Sequence, residues 1–309
     1  DQLSLAYIAL HGIPHTQISA VTEYFRPYLA ERNRRNRRMV ERLNTALAWP
    51  ELELDFERDV VPLSKSSEQG AITERHLLFA LAEKMIACFG RGKPLVAFLE
   101  HTLGLSPADK VRERLLDEAN PYYPYDLLGA FKSDLVDAFY IAAECPDVRE
   151  VLEFSRRIAA ISAYAYLGDI GESVTGDKKS QSFEDAYLEE LFDVLSELGF
   201  QAVTYMPNRN TDEQLVRVQA LCESHCLFQV SGVDINSPRQ SFKCPELHRP
   251  QYLHLSEATW ALIGHELEAT DEPGRGMFAP EAVRRYPRLN ERIAAYAAIG
   301  KARYVSGSG

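Results

Sequence analysis

Between Ile161 and Ser231 the chain alternates apolar runs with amphipathic stretches, and this rhythm constrains its fold more than any other feature. Ile161 to Leu167 reads as a short strand. Phe183 to Leu198 reads as an amphipathic helix stopped by Gly199, and Ala202 to Met206 as a second strand. Thr211 caps a helix from Asp212 to Ser224, and Leu227 to Ser231 reads as a third strand. A strand that returns parallel to its neighbour needs a long crossover, so this order predicts a parallel sheet flanked by helices.

The preceding part is different. The chain opens on a strand-like run, Leu3 to Leu10, with no initiator methionine before it, as a processed or truncated chain would. Residues 16 to 48 read as helix, and Thr73 to Ala87 repeats Leu77, Leu78, Leu81 and Met85 at a helical period. Leu95 to Leu103, Ala108 to Leu116 and Leu127 to Ala143 follow as helices, interrupted by a breaker at Asn120 to Pro124. Pro146 is expected to open the next helix, since proline suits a first turn. The predicted organisation is therefore a strand region at 1–15, a mainly helical region at 16–158 and a sheet-bearing region at 159–309. The arginine-rich stretch Glu31 to Arg38 reads as a solvated helix face, with an anion-facing helix as the alternative.

Charge and cysteine usage exclude several classes. The chain has 309 residues and a net charge of −11, from 34 basic against 45 acidic side chains. Such a surface repels nucleic-acid phosphates and anionic lipid, so neither a long nucleic acid nor a membrane is an expected partner. Five cysteines at irregular spacing argue against a disulfide framework. With no bilayer-length apolar run and no signal peptide at its start, the expectation is a cytoplasmic protein. There is no Gly-x-Ser-x-Gly elbow, no Gly-x4-Gly-Lys-Ser/Thr loop and no Gly-x-Gly-x-x-Gly after a strand. None of these features fixes an oligomeric state.

In parallel α/β folds the ligand lies at the C-terminal ends of the strands. That rule selects three loops. The first carries Asp169 and Glu172, then Lys178 and Lys179. These carboxylates and lysines suit a metal and an anionic substrate, or simply a solvated loop. The second is Pro207-Asn208-Arg209-Asn210. The third is Gly232-Val233-Asp234-Ile235-Asn236, where Asp234 and Asn236 stand two apart and share one face of an extended segment. They could hold one metal or one hydroxyl-rich ligand, or close an Asx turn before Pro238. Arg209 and Arg239 are candidates for phosphate or carboxylate, which a planar guanidinium binds bidentately. Arg75 and His76 stand at a helix N-terminus, a place that attracts anions and also one where histidine caps. Cys222-Glu223-Ser224-His225-Cys226 lacks a second ligand pair and reads as chance spacing.

Three blocks resemble the PHP (polymerase and histidinol phosphatase) domain family. Ala202 to Gln214, followed by a helix and by Val230-Ser231-Gly232-Val233-Asp234-Ile235-Asn236, is similar to that family's strand, Pro-x-His-Thr turn, helix and Gly-Ser-Asp-x-His. Ile72 to Leu81 resembles the Gly-Arg-Pro-His-x-Ala-x-Ala-Leu block of its long-insert members. Ser162 to Gly168 falls where those members end a strand in Ala-His-Pro. The resemblance implies a distorted seven-stranded (β/α) barrel of TIM-like form, with a large helical insertion. It further implies that this chain starts after the first barrel strands. The implied activity is metal-dependent phosphoester hydrolysis of a small phosphorylated metabolite, with divalent Mn, Zn, Fe or Mg. The implied ligands are Asp234, with Asn236 in a histidine's place, and Asp169 and Glu172 as oxygen donors. Asp234 and Asp169 carry the catalytic roles. His76, Arg75, Arg209, Asn210, Arg239 and Lys178 hold the anionic substrate.

The departures are specific. Leu167 replaces the Ala-His-Pro histidine, and Tyr7 stands near another histidine's place. Without imidazoles, affinity for transition metals falls, and the metal site can be lost. Two other functions follow from the same residues: a metal-poor barrel that binds a ligand or serves as a scaffold, and a sugar-processing isomerase or lyase using Asp, Glu and Lys.

Overall fold

Tertiary order is carried by a four-stranded sheet with helices on both faces, seen in a computed structural model that describes residues 5–68, 70–142, 145–170, 182–235 and 237–306. Strands β1 (Ile8–His11), β2 (Ile161–Ala165), β3 (Ala202–Tyr205) and β4 (Phe228–Ser231) lie in that order. The predicted parallel core is present: Ala163 pairs with Ala202 across β2 and β3, and Ala202 with Phe228 across β3 and β4. β1 departs from it by pairing antiparallel to β2, with Ile8 opposite Tyr164 and His11 opposite Ile161. A mixed α/β fold is thus observed, mostly helical. Among the described residues the sheet is open, and no closed barrel is formed.

The helices are α1 (Ile18–Leu47), α2 (Glu74–Phe89), α3 (Tyr123–Asp134), α4 (Val148–Arg157), α5 (Leu188–Leu198), α6 (Asp212–Ser224), α7 (Leu253–Asp271) and α8 (Leu289–Ser306), with shorter helical turns between them. Strand alternation divides the sheet's side chains between two cores. Tyr164, Val203 and Tyr205 pack with Leu188, Phe192, Leu215 and Val218 of α5 and α6. Ala163, Ala202, Phe228 and Val230 pack with Ala258 and Ala261 of α7 and Ala297 of α8. Helices α7 and α8 approach so closely that a Cβ at Gly264 would lie 1.9 Å from the Tyr296 carbonyl oxygen. Only glycine permits that contact.

A third core is drawn wholly from residues between Met39 and Phe139 and so belongs to the helical region alone. It uses α1 through Met39, Val40, Leu43 and Leu47, and α2 through Leu77, Leu78, Leu81 and Met85. The arginine-rich face of α1 is not wholly solvated: Arg35 and Asn36 are buried, and the Asn36 amide donates to the Ile72 carbonyl at 2.8 Å. A period of 3.6 residues places Asn36 on the same stripe as Met39 and Leu43. The expected break at Asn120–Pro124 is present over residues 117–122, and its last two residues already start α3, with Pro124 in the first turn, where no amide hydrogen is needed. The helix expected to open at Pro146 begins later, at Val148, with Asp147 accepting the Arg149 N–H as N-cap.

Candidate functional site

A cavity of about 560 Å³ opens at the C-terminal ends of the three parallel strands. The sheet supplies Leu167 beyond β2, Thr204 on β3, Arg209 beyond β3 and Asp234 beyond β4. The helical region supplies Thr73, Glu74 and Arg75 from the start of α2, and Lys132 from α3. Lys132 and Glu74 form an ion pair at 3.6 Å. The site therefore stands between two cores.

Arg209 is its clearest polar feature. The turn that carries it is held by N–H groups of Arg209 and Asn210 donating to the Met206 carbonyl, each at 2.9 Å. The guanidinium is partly buried over the Phe183 ring, 5.8 Å from its centroid. Burial lowers its pKa from the usual arginine value, and the Asp234 and Glu184 carboxylates partly oppose that. Among the described residues it makes no ion pair within 4 Å. A desolvated guanidinium without a close partner is suited to an anionic ligand.

Beyond β2 the polar groups are engaged in holding backbone. Asn210, predicted to bind substrate, is buried. Its amide donates to the Leu167 carbonyl at 2.7 Å and accepts the Met206 N–H at 3.1 Å. Asp169, predicted to be catalytic, accepts the Phe183 N–H at 2.5 Å and does not line the cavity. Two carboxylates that the sequence reading passed over lie beneath it. Glu184, 4% exposed, accepts the Tyr164 hydroxyl at 2.7 Å and the Gly168 N–H at 3.0 Å. Asp185 accepts the Tyr166 hydroxyl, the Asp169 N–H at 3.1 Å and the Gln214 amide at 2.7 Å. Burial pushes the Asp185 carboxyl up, but these hydrogen bonds outweigh it and hold it below its ordinary value. Both tyrosines are pushed well above the usual phenol range, by burial first and by their carboxylate partners second.

The remaining predicted residues divide as follows. Arg75 and Asp234 line the cavity with Arg209. His76 does not. Its Nδ1 accepts the Thr73 N–H at 3.1 Å and completes the capping box that starts α2. Arg239 is turned away and grips Asp126 of α3 bidentately, at 3.0 and 2.6 Å, with Asn120 at 2.9 Å. Its guanidinium fork is committed inside the protein, contrary to the expectation of a substrate contact. Glu172, Lys178 and Asn236 lie outside the described residues. Glu74 and Lys132 were not foreseen. Neither helix face carried a mark pointing to the strand ends, and only the docking of the helical region brings them there.

Among the described residues, no three His, Cys, Asp or Glu side chains converge closely enough to hold a metal ion. Asp234 is the one predicted metal ligand among them that lines the cavity. Tyr7 and Leu167, which stand in or near the places of family histidines, line it too. Among the described residues no helix is long and apolar enough to cross a membrane.

No protein-family model and no curated protein matches the chain. One solved structure that it resembles is described as a putative metal-dependent phosphoesterase from Bifidobacterium adolescentis. The TM-score is 0.43 and the identity 18%, over 78% of this chain and 68% of that one. A likeness that distant carries no argument about fold or chemistry.

Proposed function

We propose that the strand-end cavity is the counterpart of a PHP-type active site, that it takes a small phosphorylated metabolite, and that its chemistry is phosphoester hydrolysis. On this reading β2, β3 and β4 are the parallel arc of a PHP-like barrel, and the helical region at 16–158 is its insertion. The observation that carries the proposal is a coincidence of place. Tyr7, Leu167 and Asp234, which the sequence resemblance sets at or near ligand positions, line one cavity together with Arg75 and Arg209.

The residues' work is recognition and orientation. Arg209 offers a planar fork to phosphoryl oxygens from a partly desolvated position. Arg75, at the start of α2, adds positive charge beside the first-turn amides, which favour an anion. Asp234 lines the same cavity, acts electrostatically on Arg209 and can accept a hydrogen bond from a substrate hydroxyl. A divalent metal would supply an activated water, but the described donors do not make a set for it, and no step is derived through one.

That mismatch favours a second reading, in which the cavity binds the same class of ligand without hydrolysing it. Leucine has no donor atom, and tyrosine binds a metal only as a phenolate oxygen, so neither reproduces an imidazole in its family position. The two readings separate on one measurement. Protein loaded in turn with Mn, Zn, Fe and Mg is assayed for p-nitrophenyl phosphate turnover and, by calorimetry, for inorganic phosphate binding. Hydrolysis requires metal-dependent turnover that Asp234→Asn lowers at least tenfold. Phosphate binding that survives chelation, without turnover under any metal, selects the binding protein. Both readings fail if neither turnover nor phosphate binding is seen, or if Arg209→Ala leaves both unchanged.

A further inference from the structure

A second cleft, of about 890 Å³, lies at the opposite end of β4, between that strand's start, α7 and the first turn of α8. Its walls are largely apolar, with Leu227, Phe228, Ala258, Leu289 and Ile293. Arg292 also lines it and is only 7% exposed. Its Nε is buried without a hydrogen-bond partner, and among the described residues its side chain makes no hydrogen bond and no ion pair. Its one side-chain contact of note is the Phe278 ring, 5.2 Å from the guanidinium carbon.

The surroundings do not neutralise this charge. The groups acting on it electrostatically are Tyr296 and Cys226, neither of them a carboxylate, and burial holds its pKa below the usual arginine value. Two carboxylates line other parts of the cleft. Glu257 is paired with Lys301 at 2.5 Å, and Glu223 lies on the side of His254 and Tyr205. A buried, unpaired charge is strongly unfavourable and is normally met by an opposite charge. Among the described residues no side chain pairs with it. Arg292 also sits in the first turn of an 18-residue helix, whose N-terminal end favours an anion on its own account.

We propose that this cleft binds a small molecule with an apolar body and a single carboxylate, the carboxylate meeting Arg292 at the start of α8 and the body lying along Phe228, Leu289 and Ile293. The apolar walls account for the body, and the isolated guanidinium accounts for one negative charge. The site lies at the N-terminal end of β4 and is independent of the strand-end cavity and of the chemistry proposed for it.

The test uses the full chain with decanoate and, as a neutral control of equal chain length, 1-decanol, both below micellar concentrations. Calorimetry and thermal unfolding are the readouts. Decanoate is expected to bind wild-type protein at least tenfold more tightly than decanol and to raise its unfolding temperature. Arg292→Met is expected to weaken decanoate at least tenfold, to leave decanol within twofold, and to unfold without ligand at or above the wild-type temperature, because an unpaired buried charge has been removed. Arg292→Lys keeps the charge and should keep part of the preference, which covers a methionine variant that fails to fold. The proposal is overturned if wild-type protein binds decanoate no better than decanol. It is equally overturned if Arg292→Met weakens both probes alike, or if that variant loses stability while its decanoate affinity is unchanged.

Discussion

The ends of β2 and β4 both carry carboxylates where an α/β fold places its ligands, yet they are put to opposite uses. Beyond β2, Glu184 and Asp185 between them accept two tyrosine hydroxyls, three backbone N–H groups and one amide. Beyond β4, Asp234 is exposed, and among the described residues it is bonded through its backbone carbonyl, which accepts from the Gln240 amide at 3.1 Å. The difference teaches that the number of acidic side chains at a strand end says little about chemistry. What matters is how many of their lone pairs are already taken. The β2 end is built as a bracket, and the β4 end is left available.

The largest test of this contrast is Glu184→Leu, which strips acceptors from a buried hydroxyl and a buried N–H at once. Each orphaned group costs roughly 1–3 kcal/mol, so a loss of about 3 kcal/mol is expected in urea unfolding. A loss below about 1 kcal/mol would mean that the bracket is ornamental and Glu184 is held for another purpose. Next comes Gly168→Ala. Gly168 has φ +68°, and an added Cβ would lie 2.7 Å from the Asn210 amide nitrogen and 2.8 Å from the Tyr166 hydroxyl. Backbone strain and the displaced hydrogen bonds together are expected to cost about 2 kcal/mol, read in the same way. The smallest effect lies in acid. The Asp185 carboxyl is held below its ordinary value of 3.8, so its share of stability is present above that pH and is lost as pH falls through the lower, folded value. Asp185→Asn should flatten the stability profile in that window, read by urea unfolding across the acid range. A profile that keeps its slope in that variant would mean that the β2 bracket does not rest on the Asp185 charge.

Much of the scaffold was legible in the sequence. Thr211 caps α6 as expected, with Gln214 closing a capping box, and α6 runs over the predicted Asp212 to Ser224. Gly199 ends α5 in the left-handed conformation that glycine favours. β1 was also foreseen, but its direction was not, because a four-residue apolar run carries no sign of whether its partner lies parallel or antiparallel. That Arg75, Arg209 and Asp234 would line one cavity followed from their place relative to helix starts and strand ends. Arg239 could not be read correctly from its neighbourhood. Its partner Asp126 is 113 residues away, and a guanidinium that will grip an internal carboxylate looks, in sequence, the same as one that awaits a ligand. Glu184 and Asp185 pose the reverse case, since acidic residues before a helix are ordinary and only the fold brings Tyr164 and Tyr166 onto them.

The bidentate grip of Arg239 on Asp126 has a mechanical side. It rivets the segment that follows Asp234 to a helix of the region with its own core, while Thr73, Glu74 and Arg75 from that same region form the facing wall of the cavity. Aperture is thereby coupled to seating. Any shift of the helical block on the sheet drags one wall and, through the rivet, pulls on the other.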